Sequence, residues 1–356
     1  MKTFLFLCLL LFKFISYSQN ICEQSFNPFI RINGNAPMER LSDTKIGSYN
    51  VLNLEHSAGK YVTDEKTGTR SFVPQKLTKD KDQVNGVVRV FKDEQPDIVV
   101  LQEVEGYEAI KLFNDKYLDG LYTPIVLKGN DTRGIEIAFL VKSDLPLKVK
   151  TTSLKNSKWK NSVSGNLEYV FSRDLPALHF WHKDATGSDP PAFILLGNHL
   201  KSQRDRKGDP KSIIKRTAQV NEITNEIKRY QSAYPQTPVI LAGDFNANIL
   251  SGSEFKQLFD NNLMTDSLNF SSKSYTKEQR ITHTFHPYEG PSKNSQLDAI
   301  LVNEQGKDLV IDSHIYRYRD ENGSVIPIPK TYDQRERNPS DHFPLFTRFD
   351  FSRLFK

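Results

Sequence analysis

The feature that most constrains the fold is a series of short apolar runs, rich in Val, Ile, Leu and Phe, that recur along most of the chain. Runs of this length and composition are typical of buried β-strands. The predicted strands are residues 45–50, 97–102, 135–141, 169–180, 193–199, 238–242, 296–302 and 345–349. These strands do not alternate regularly with helices, so a doubly wound parallel sheet is not expected. The pattern favours packed sheets with helices outside them.

Two segments have the periodicity of amphipathic helices. The first carries apolar side chains at helical spacing shortly before Pro96, namely Val84, Val87, Val88 and Phe91. The second opens on Asp209-Pro210, a capping residue followed by a proline suited to the first turn of a helix. Its apolar face is formed by Ile213, Val220, Ile223 and Ile227.

Residues 1–18 have the pattern of a secretory signal peptide. Lys2 is followed by an unbroken apolar run from Phe4 to Phe12, and small residues come shortly afterwards at Ser16 and Ser18. The alternative is a membrane anchor, but a spanning helix needs about 20 apolar residues and Lys13 interrupts this run. We therefore expect a secreted or periplasmic protein without stable insertion in a membrane.

The rest of the chain is predicted to be one domain behind a short lead-in. Residues 19–43 are polar and irregular, and residues 44–352 contain no linker-like stretch. Cleavage of the leader removes Cys8 and leaves only Cys22, so the mature chain has no internal disulfide. Cys22 as a lipidated N-terminus is a minority alternative. A hydrophobic content of 37% excludes a disordered chain, and a net charge of +5 is too small to establish a nucleic-acid partner.

Polar side chains stand at the ends of the apolar runs or within them. They are Asn50, Glu103, His199, Asp244, Asn246, Asp298, Asp341 and His342. If the strands are neighbours, these side chains converge on one mouth. Four carboxylates crowded together repel one another, and a bound cation relieves that repulsion. Oxygen ligands of this kind suit Mg²⁺, with Mn²⁺ and Ca²⁺ as alternatives, rather than zinc.

Each of these residues also has an ordinary structural interpretation. Glu103 could end a strand in solvent, and Asp298 could be buried and satisfied by backbone donors. The sequence Gly243-Asp244-Phe245-Asn246 could be a plain turn, since Gly, Asp and Asn favour turns. The joint pattern is what favours a site, because so many strand-associated polar groups in one order are not expected by accident.

The order of these motifs resembles the endonuclease/exonuclease/phosphatase family, which includes deoxyribonuclease I and related nucleases, sphingomyelinases and inositol polyphosphate phosphatases. The matching segments include residues 48–53, 96–104, 197–202, 241–246, 297–300 and 340–344. The resemblance spans about residues 44–350. It implies an α+β fold of the deoxyribonuclease-I-like type, a four-layer α-β-β-α sandwich in which helices flank two packed, mostly antiparallel sheets.

The resemblance also implies a role for each motif residue. Glu103 would be the principal metal ligand, with Asn50 and Asp341 beside it. Asp244 and Asn246 would position the attacking water, the phosphate or a second metal. Asp298 would orient His342, which would act as general base or contact the phosphate, and His199 would bind a non-bridging oxygen. The same comparison places Arg133, Arg173, Asn198 and Lys201 near the substrate phosphate. For Arg133, a salt bridge with Asp131 or Asp174 is an equally good interpretation.

Two groups of basic residues bear on the choice of substrate. The stretch after His199 is basic, with Lys201, Arg204, Arg206, Lys207, Lys211, Lys215 and Arg216. A second basic group, Lys150, Lys155, Lys158 and Lys160, contains Trp159, which could stack on an unpaired base or pack its own loop. We expect a nuclease that takes nucleic acid, DNA first and RNA second, as its substrate, and no protein partner is predicted. The alternatives are a phosphodiesterase or phosphatase for a lipid or small ester, and an inactive binding protein on the same fold.

Overall fold

The computed structural model describes residues 29–32, 34–54, 60–63, 70–73, 79–186, 189–287 and 291–355. The expected signal peptide and both cysteines lie outside these residues. The strands are β1 Ile30–Arg31, β2 Thr44–Asn50, β3 Lys60–Thr63, β4 Arg70–Val73, β5 Ile98–Val104, β6 Tyr122–Val126, β7 Glu136–Lys142, β8 Leu147–Thr152, β9 Lys158–Lys160, β10 Leu167–Tyr169, β11 Ala177–His182, β12 Phe193–His199, β13 Val239–Asp244, β14 Thr265–Asp266, β15 His283–Phe285, β16 Lys293–Ser295, β17 Asp298–Val302, β18 Val310–Ile315 and β19 Leu345–Phe349. The α-helices are α1 Lys81–Glu94, α2 Tyr107–Tyr117, α3 Ile213–Ala233, α4 Lys256–Phe259, α5 Glu304–Lys307 and α6 Tyr332–Glu336. Short 3₁₀ helices span Met38–Asp43, Pro210–Ser212, Ser253–Phe255, Asp260–Asn262, Ser267–Phe270, Lys277–Gln279 and Phe351–Phe355.

Two mixed sheets form the centre of the molecule. The seven-stranded sheet has the order β1-β8-β11-β12-β13-β17-β14, and the six-stranded sheet has the order β18-β19-β2-β5-β7-β6. Each sheet has one central parallel pair, β12 with β13 and β2 with β5, and its other pairs are antiparallel. Parallel neighbours end at the same edge of a sheet. The ends of β12 and β13 therefore meet, as do those of β2 and β5.

The central strands are buried on both faces, which explains their unbroken apolar sequence. In β12, Phe193 and Leu195 belong to the core shared with the other sheet. Ile194 and Leu196, on the opposite face, pack in the cluster that includes the apolar face of α3. The two sheets come close at Gly197, where an added Cβ would press on side chains of β5 and β7.

Helices cover the outer face of each sheet, so the layers run helix, sheet, sheet, helix. On the six-stranded sheet, Phe91 of α1 contacts Phe113 of α2 and Tyr122 of β6, with ring centroids 5.8 and 5.9 Å apart. On the seven-stranded sheet, α3 begins where Asp209 accepts the backbone N–H groups of Ile214 and Lys215. The four-layer α+β sandwich expected from the sequence is confirmed. The helix α2 was not among the expected elements.

The expected strand 169–180 is wrong in its extent. Residues Leu167–Tyr169 form one strand of a separate hairpin, and Ala177–His182 form a strand of the seven-stranded sheet. Between them Asp174 has a φ of +79°, which an extended strand does not permit. The side chain of Asp174 fixes this break by accepting the backbone N–H groups of Leu154 and Leu175.

The lead-in is more ordered than its composition indicates. Within residues 29–43, Ile30–Arg31 pairs with β8 at the edge of the seven-stranded sheet, and Met38–Asp43 forms a 3₁₀ helix. Among the described residues, no helix combines the length and apolarity that crossing a bilayer requires.

Gly243 gives a test of how tightly the centre of the seven-stranded sheet is built. Its φ is +155°, and a Cβ added there would overlap the carbonyl oxygen of Asn198 on the neighbouring strand. We expect Gly243→Ala to destabilise the protein by roughly 3 kcal/mol, because backbone rather than a flexible side chain must move. Urea unfolding measures this. A loss below about 0.5 kcal/mol would show that β12 and β13 are more loosely paired than described.

Candidate active site

The topology brings the motif residues to one edge of the two sheets. His199 and Asp244 are register partners at the ends of β12 and β13, and Asp298 pairs with Asp244 at the start of the antiparallel β17. In the facing sheet, Asn50 ends β2, and Asp341 and His342 come just before β19, which runs antiparallel to β2. The convergence expected from the sequence is therefore a direct consequence of strand direction.

Glu103 is turned toward this edge by an irregularity in β5. The pairing of β5 with β7 shifts between Leu101 and Val104, and Glu103 has a φ of +63°. A left-handed conformation is strained for a residue other than glycine, and such strain is typical of functional sites. The Glu103 side chain is 21% exposed, lies 3.4 Å from the amide nitrogen of Asn50 and 3.8 Å from His199 Nε2.

Asp244 lies at the centre of the site and is fully enclosed. Its Oδ2 accepts hydrogen bonds from the side-chain amides of Asn50 and Asn246, each at 3.1 Å, and lies 3.5 Å from His199 Nε2. Its Oδ1 accepts the backbone N–H of Asn246 at 2.7 Å. Burial raises the pKa of Asp244 to about 7, so this carboxyl group can exchange a proton near neutral pH.

Asp298 and His342 form a buried pair. The Asp298 Oδ2 lies 2.8 Å from His342 Nδ1, which leaves His342 Nε2 directed toward Asp244 at 3.9 Å. Burial opposes the charged imidazole, but the negative charges of Asp298 and then Asp244 raise the pKa of His342 to about 10. The structure therefore favours a charged His342 whose Nε2–H is available at the mouth.

Both carboxylate oxygens of Asp341 have partners. Its Oδ2 accepts a hydrogen bond from Arg335 at 2.8 Å and lies 3.6 Å from His283, while its Oδ1 lies 3.9 Å from His342 Nε2. Although burial opposes it, the nearby His283 and the positive charges of His342 and Arg335 hold the pKa of Asp341 well below its usual range. Asp341 is therefore an anion at all working pH values.

His199 is the neutral imidazole of the site. Its Nδ1 is buried without a hydrogen-bond partner, and its Nε2 faces Glu103 and Asp244. Burial, and then the positive charge of Arg173, lower the pKa of His199 well below its usual value. A neutral imidazole can donate one hydrogen bond to a phosphate oxygen. Because it is uncharged, it does not repel a cation bound nearby.

The two arginines share one carboxylate. Arg173 is buried beside His199, where it donates to the carbonyl of Leu200 at 3.1 Å and lies 3.2 Å from Asp131. Arg133 is 52% exposed and makes a two-point contact with Asp131 at 3.1 and 2.9 Å. The salt bridge given as the alternative interpretation of Arg133 is thus present, and its partner is Asp131 rather than Asp174.

The remaining expected contacts to phosphate differ in position. Asn198 is fully buried and donates to the backbone carbonyl of Asp244 at 3.0 Å, so its amide joins β12 to β13. Lys201 lies at the rim, where its ammonium group donates to Ser202 at 3.1 Å. Asn246 has a φ of +55° and bonds the carbonyl of Leu200 at 3.0 Å, which fixes the loop after His199 against the end of β13.

The structure adds residues that the sequence interpretation did not name. Arg335 and His283 hold Asp341. Thr282 Oγ1 accepts the backbone N–H groups of Leu297 and Asp298 and so fixes the start of β17. None of these residues follows a long apolar run, so the signal that located the other residues is absent at them.

Two cations of the expected basic stretch belong to the core. Lys215 donates to the carbonyl of Tyr169, and Arg216 is buried in an ion pair with Glu254 at 2.9 Å. Arg216 also donates to the carbonyl oxygens of Lys201 and Lys211. The expectation that Lys215 and Arg216 belong to an exposed basic stretch is therefore wrong.

We expect Arg216→Ala to lower the free energy of unfolding by about 3 kcal/mol, because Glu254 would remain buried without its counter-charge. The exposed neighbour Lys211→Ala should change it by less than about 0.5 kcal/mol. Urea titrations of both variants measure the difference. Equal, small effects would contradict a structural role for the Arg216–Glu254 pair.

The donor set fits a hard divalent cation. Carboxylate oxygens dominate the site, and they are the ligands that hard divalent cations prefer. Asp244 with Asp298, and Asp341 with His283, place possible ligand atoms within 4.8 Å of one another, and the side chain of His342 lies within the same distance of both pairs. Glu103 adds a carboxylate at the accessible side of this cluster, and the side-chain nitrogen of Asn50 lies 3.4 Å from it. The edge is thus a candidate divalent-metal site.

Comparison with known proteins decides the family. The sequence profile described as the Endonuclease/Exonuclease/phosphatase family matches residues 47–342, which is most of the chain. This chain belongs to the endonuclease/exonuclease/phosphatase family. No curated protein matches it significantly in sequence.

Solved structures show the same fold at low sequence identity. The D. rerio TDP2 structure with a single strand DNA product has a TM-score of 0.54 at 16% identity and covers 86% of this chain and 99% of that chain. Truncated TDP2 from Caenorhabditis elegans has a TM-score of 0.53 at 16% identity, with coverage of 86% and 98%. A family protein from Bacteroides thetaiotaomicron has a TM-score of 0.51 at 17% identity, with coverage of 86% and 97%.

Membership of the endonuclease/exonuclease/phosphatase family identifies the chemistry in general terms. Proteins of this family are phosphoester hydrolases that generally depend on a divalent metal, and the candidate metal site described above is present in this member. The chain is therefore a phosphoester hydrolase.

Proposed function

We propose that this family member is a magnesium-dependent nuclease that acts outside the cytoplasm on DNA, with RNA as a second substrate. The observation that carries the proposal is the shared mouth of Glu103, His199, Asp244 and the Asp298–His342 pair. Its rim exposes cations, among them Arg133 and Arg204. A phosphodiester polymer is attracted to such a rim. The leader-like sequence of residues 1–18 supports an extracytoplasmic location.

The residues of the chain divide the work of an in-line attack by water. Glu103, Asn50 and Asp341 would hold the cation, which when bound neutralises phosphate charge and makes water a better nucleophile. Asp244, with its pKa near 7, accepts a proton from the attacking water. His342, held as an imidazolium by Asp298, and neutral His199 donate to non-bridging oxygens as negative charge develops there. Arg173 adds a fixed positive charge behind His199.

The main alternative is a phosphodiesterase or phosphatase for a lipid or a small ester. The sequence segment that best suits membrane contact, residues 324–329, gives it little support. Ile326 and Ile328 in that segment pack against the core. An inactive binding protein is disfavoured because the residue types that the family's chemistry requires are present at the mouth.

A substrate panel tests the proposal. Purified protein is given plasmid DNA, RNA, a phosphatidyl or sphingolipid substrate and a small phosphate monoester, each with Mg²⁺ and with excess EDTA. We expect cleavage of DNA that EDTA reduces by at least about 10²-fold, since the carboxylates alone cannot neutralise phosphate. Cleavage of the lipid or the monoester alone would overturn the nuclease proposal, and activity that survives EDTA would overturn the metal requirement.

A further inference from the structure

A small β-hairpin stands apart from both sheets. It is formed by β9 and β10, with Lys158 opposite Tyr169, Trp159 opposite Glu168 and Lys160 opposite Leu167. Because directly opposed residues of antiparallel strands share a face, the hairpin has two distinct sides. One side carries Trp159 and Glu168, and the other carries the two lysines with Leu167 and Tyr169.

The Trp159 side faces the protein. The ammonium group of Lys215 lies 5.2 Å from the centre of the Trp159 ring. Glu168 accepts hydrogen bonds from Asn161 at 2.6 Å and from Arg206 at 3.2 Å. Trp159 therefore packs against its own loop. This position does not permit the alternative role, in which its ring stacks on an unpaired base.

The opposite side faces solvent. Leu167 is 67% exposed and Tyr169 is 47% exposed, and Lys158 and Lys160 are exposed beside them. The Lys158 ammonium group lies 5.2 Å from the centre of the Tyr169 ring. This side, called the hairpin platform below, combines an aromatic ring, an apolar side chain and two cations.

The hairpin is fixed to the segment that leaves the mouth. Arg206 and Gly208, which follow His199 along the chain, contact Glu168 and Val163 of the hairpin. Tyr169 precedes the buried Arg173 by only four residues, which limits their Cα atoms to about 14 Å apart. At about 3.4 Å per nucleotide in a stacked strand, this distance corresponds to roughly four nucleotides.

We propose that the hairpin platform binds an unpaired stretch of nucleic acid next to the cleavage site, with a base stacked on Tyr169 and phosphates on Lys158 and Lys160. This inference rests on the proposed nuclease function and names the form of its substrate. A base inside a duplex has no free face for a side chain, so a stacking site selects single-stranded or frayed ends. The charges of the platform favour a polyanionic ligand, since Lys158 lies opposite Tyr169 and Lys160 lies opposite Leu167.

Binding is measured by fluorescence anisotropy with a labelled 12-nucleotide single strand of DNA in EDTA, which prevents cleavage. We expect Tyr169→Ala to raise Kd at least about 5-fold, the lower limit for loss of one stacked base. Tyr169→Phe, which keeps the ring, should stay within twofold of wild type. Lys158→Ala/Lys160→Ala should reduce the slope of log Kd against log salt by about 1.4, for two phosphate contacts to a single strand.

A matched control uses two exposed lysines on another part of the surface. Lys228 lies near the far end of α3, and Lys256 begins α4. Lys228→Ala/Lys256→Ala removes the same charge and should leave the salt slope unchanged. A slope that falls equally in both double variants would show that net charge alone drives binding, and would overturn the platform.

Failure of the platform is distinguishable from failure of the nuclease proposal. If wild-type protein cleaves DNA while Tyr169→Ala binds the single strand as wild type does, only the platform falls. If wild-type protein neither binds nor cleaves nucleic acid, both proposals fall.

Vesicles of phosphatidylglycerol and phosphatidylcholine test whether the hairpin instead binds a membrane surface. Sedimentation that is lost in Leu167→Ser, with unchanged binding of the oligonucleotide, would assign the hairpin to a membrane surface instead and overturn the platform.

Discussion

Replacing Glu103 with glutamine is expected to lower kcat for phosphodiester cleavage by about 10³-fold, equivalent to ~4 kcal/mol of transition-state stabilisation. The amide keeps the size and one oxygen of the side chain but removes its charge. Glu103 is the most accessible of the site's acids named as metal ligands, and it lies beside Asn50 and His199. A cation held there loses its principal anionic ligand, and the phosphate loses the neutralisation that depends on it.

The protein is expected to remain folded, because Glu103 is partly exposed and makes no strong ion pair among the described residues. Its removal also relieves repulsion within the site. Circular dichroism and urea unfolding of Glu103→Gln should therefore match wild type within about 1 kcal/mol. Isothermal titration with Mg²⁺ gives a second readout, and weaker binding is expected.

The matched control lies immediately before the same strand. Asp97 precedes β5 at the end opposite to Glu103, and it is buried in a salt bridge with Arg40. Asp97→Asn should destabilise the protein, because Arg40 loses its buried partner and keeps only the exposed Asp144 at 3.8 Å, yet leave kcat nearly unchanged. Retention of more than a tenth of wild-type kcat in Glu103→Gln would contradict the role assigned to Glu103.

Replacing Asp298 with asparagine is expected to lower kcat by about 10² to 10⁴-fold. Asp298 is the buried acceptor of His342 Nδ1 at 2.8 Å and the main source of negative charge that keeps His342 protonated. Asparagine holds a ring by a hydrogen bond but supplies no charge, and it can present its amide group to the imidazole. Comparable changes in catalytic His–Asp pairs cost about 10⁴-fold.

The pH profile separates this role from simple loss of structure. His342 has a raised pKa of about 10, so its positive charge is present below that pH and is lost as the pH rises through it. Activity that needs the charge therefore falls on the alkaline side in wild type. In Asp298→Asn the pKa returns toward its ordinary value of about 6.5, or below it because of burial, so the alkaline limb should move to lower pH. An unchanged limb would contradict the assignment.

Asp266 supplies the control for burial. It is an acid of the same seven-stranded sheet, it accepts a hydrogen bond from Gln296 at 2.7 Å, and it pairs with Arg280 at 3.2 Å. Asp266→Asn should lower the unfolding free energy without moving the pH profile. NMR titration of the imidazole resonances in both variants then shows whether the pKa of His342 alone has changed.

The sequence predicted the central strands well because both of their faces are buried. An uninterrupted apolar run ending in His199 has one good interpretation, and the strand Phe193–His199 has the predicted bounds. The same burial makes the polar residues at strand ends conspicuous. Strand direction then brings these polar residues together at one edge of the sheets. No local sequence pattern contains that information, and the resemblance to a known fold supplied it.

The failures have different physical causes. The prediction of one strand from 169 to 180 missed the turn at Asp174, whose φ of +79° depends on backbone contacts distant in sequence. Arg335 lies in a short polar segment, so its bond to Asp341 has no periodic signal. Lys215 and Arg216 resemble solvent-exposed charges in sequence, and only the tertiary positions of Trp159 and Glu254 show that they are enclosed.

The central claim is that residues from Asn50 to His342 form one pocket that shares a cation and a phosphate. Crystals grown with Mn²⁺ and inorganic phosphate test it directly, because anomalous scattering locates the manganese. The account predicts manganese bound by Glu103 and a phosphate contacted by both His199 and His342. Manganese remote from Glu103, or a phosphate that His199 and His342 cannot reach together, would contradict it.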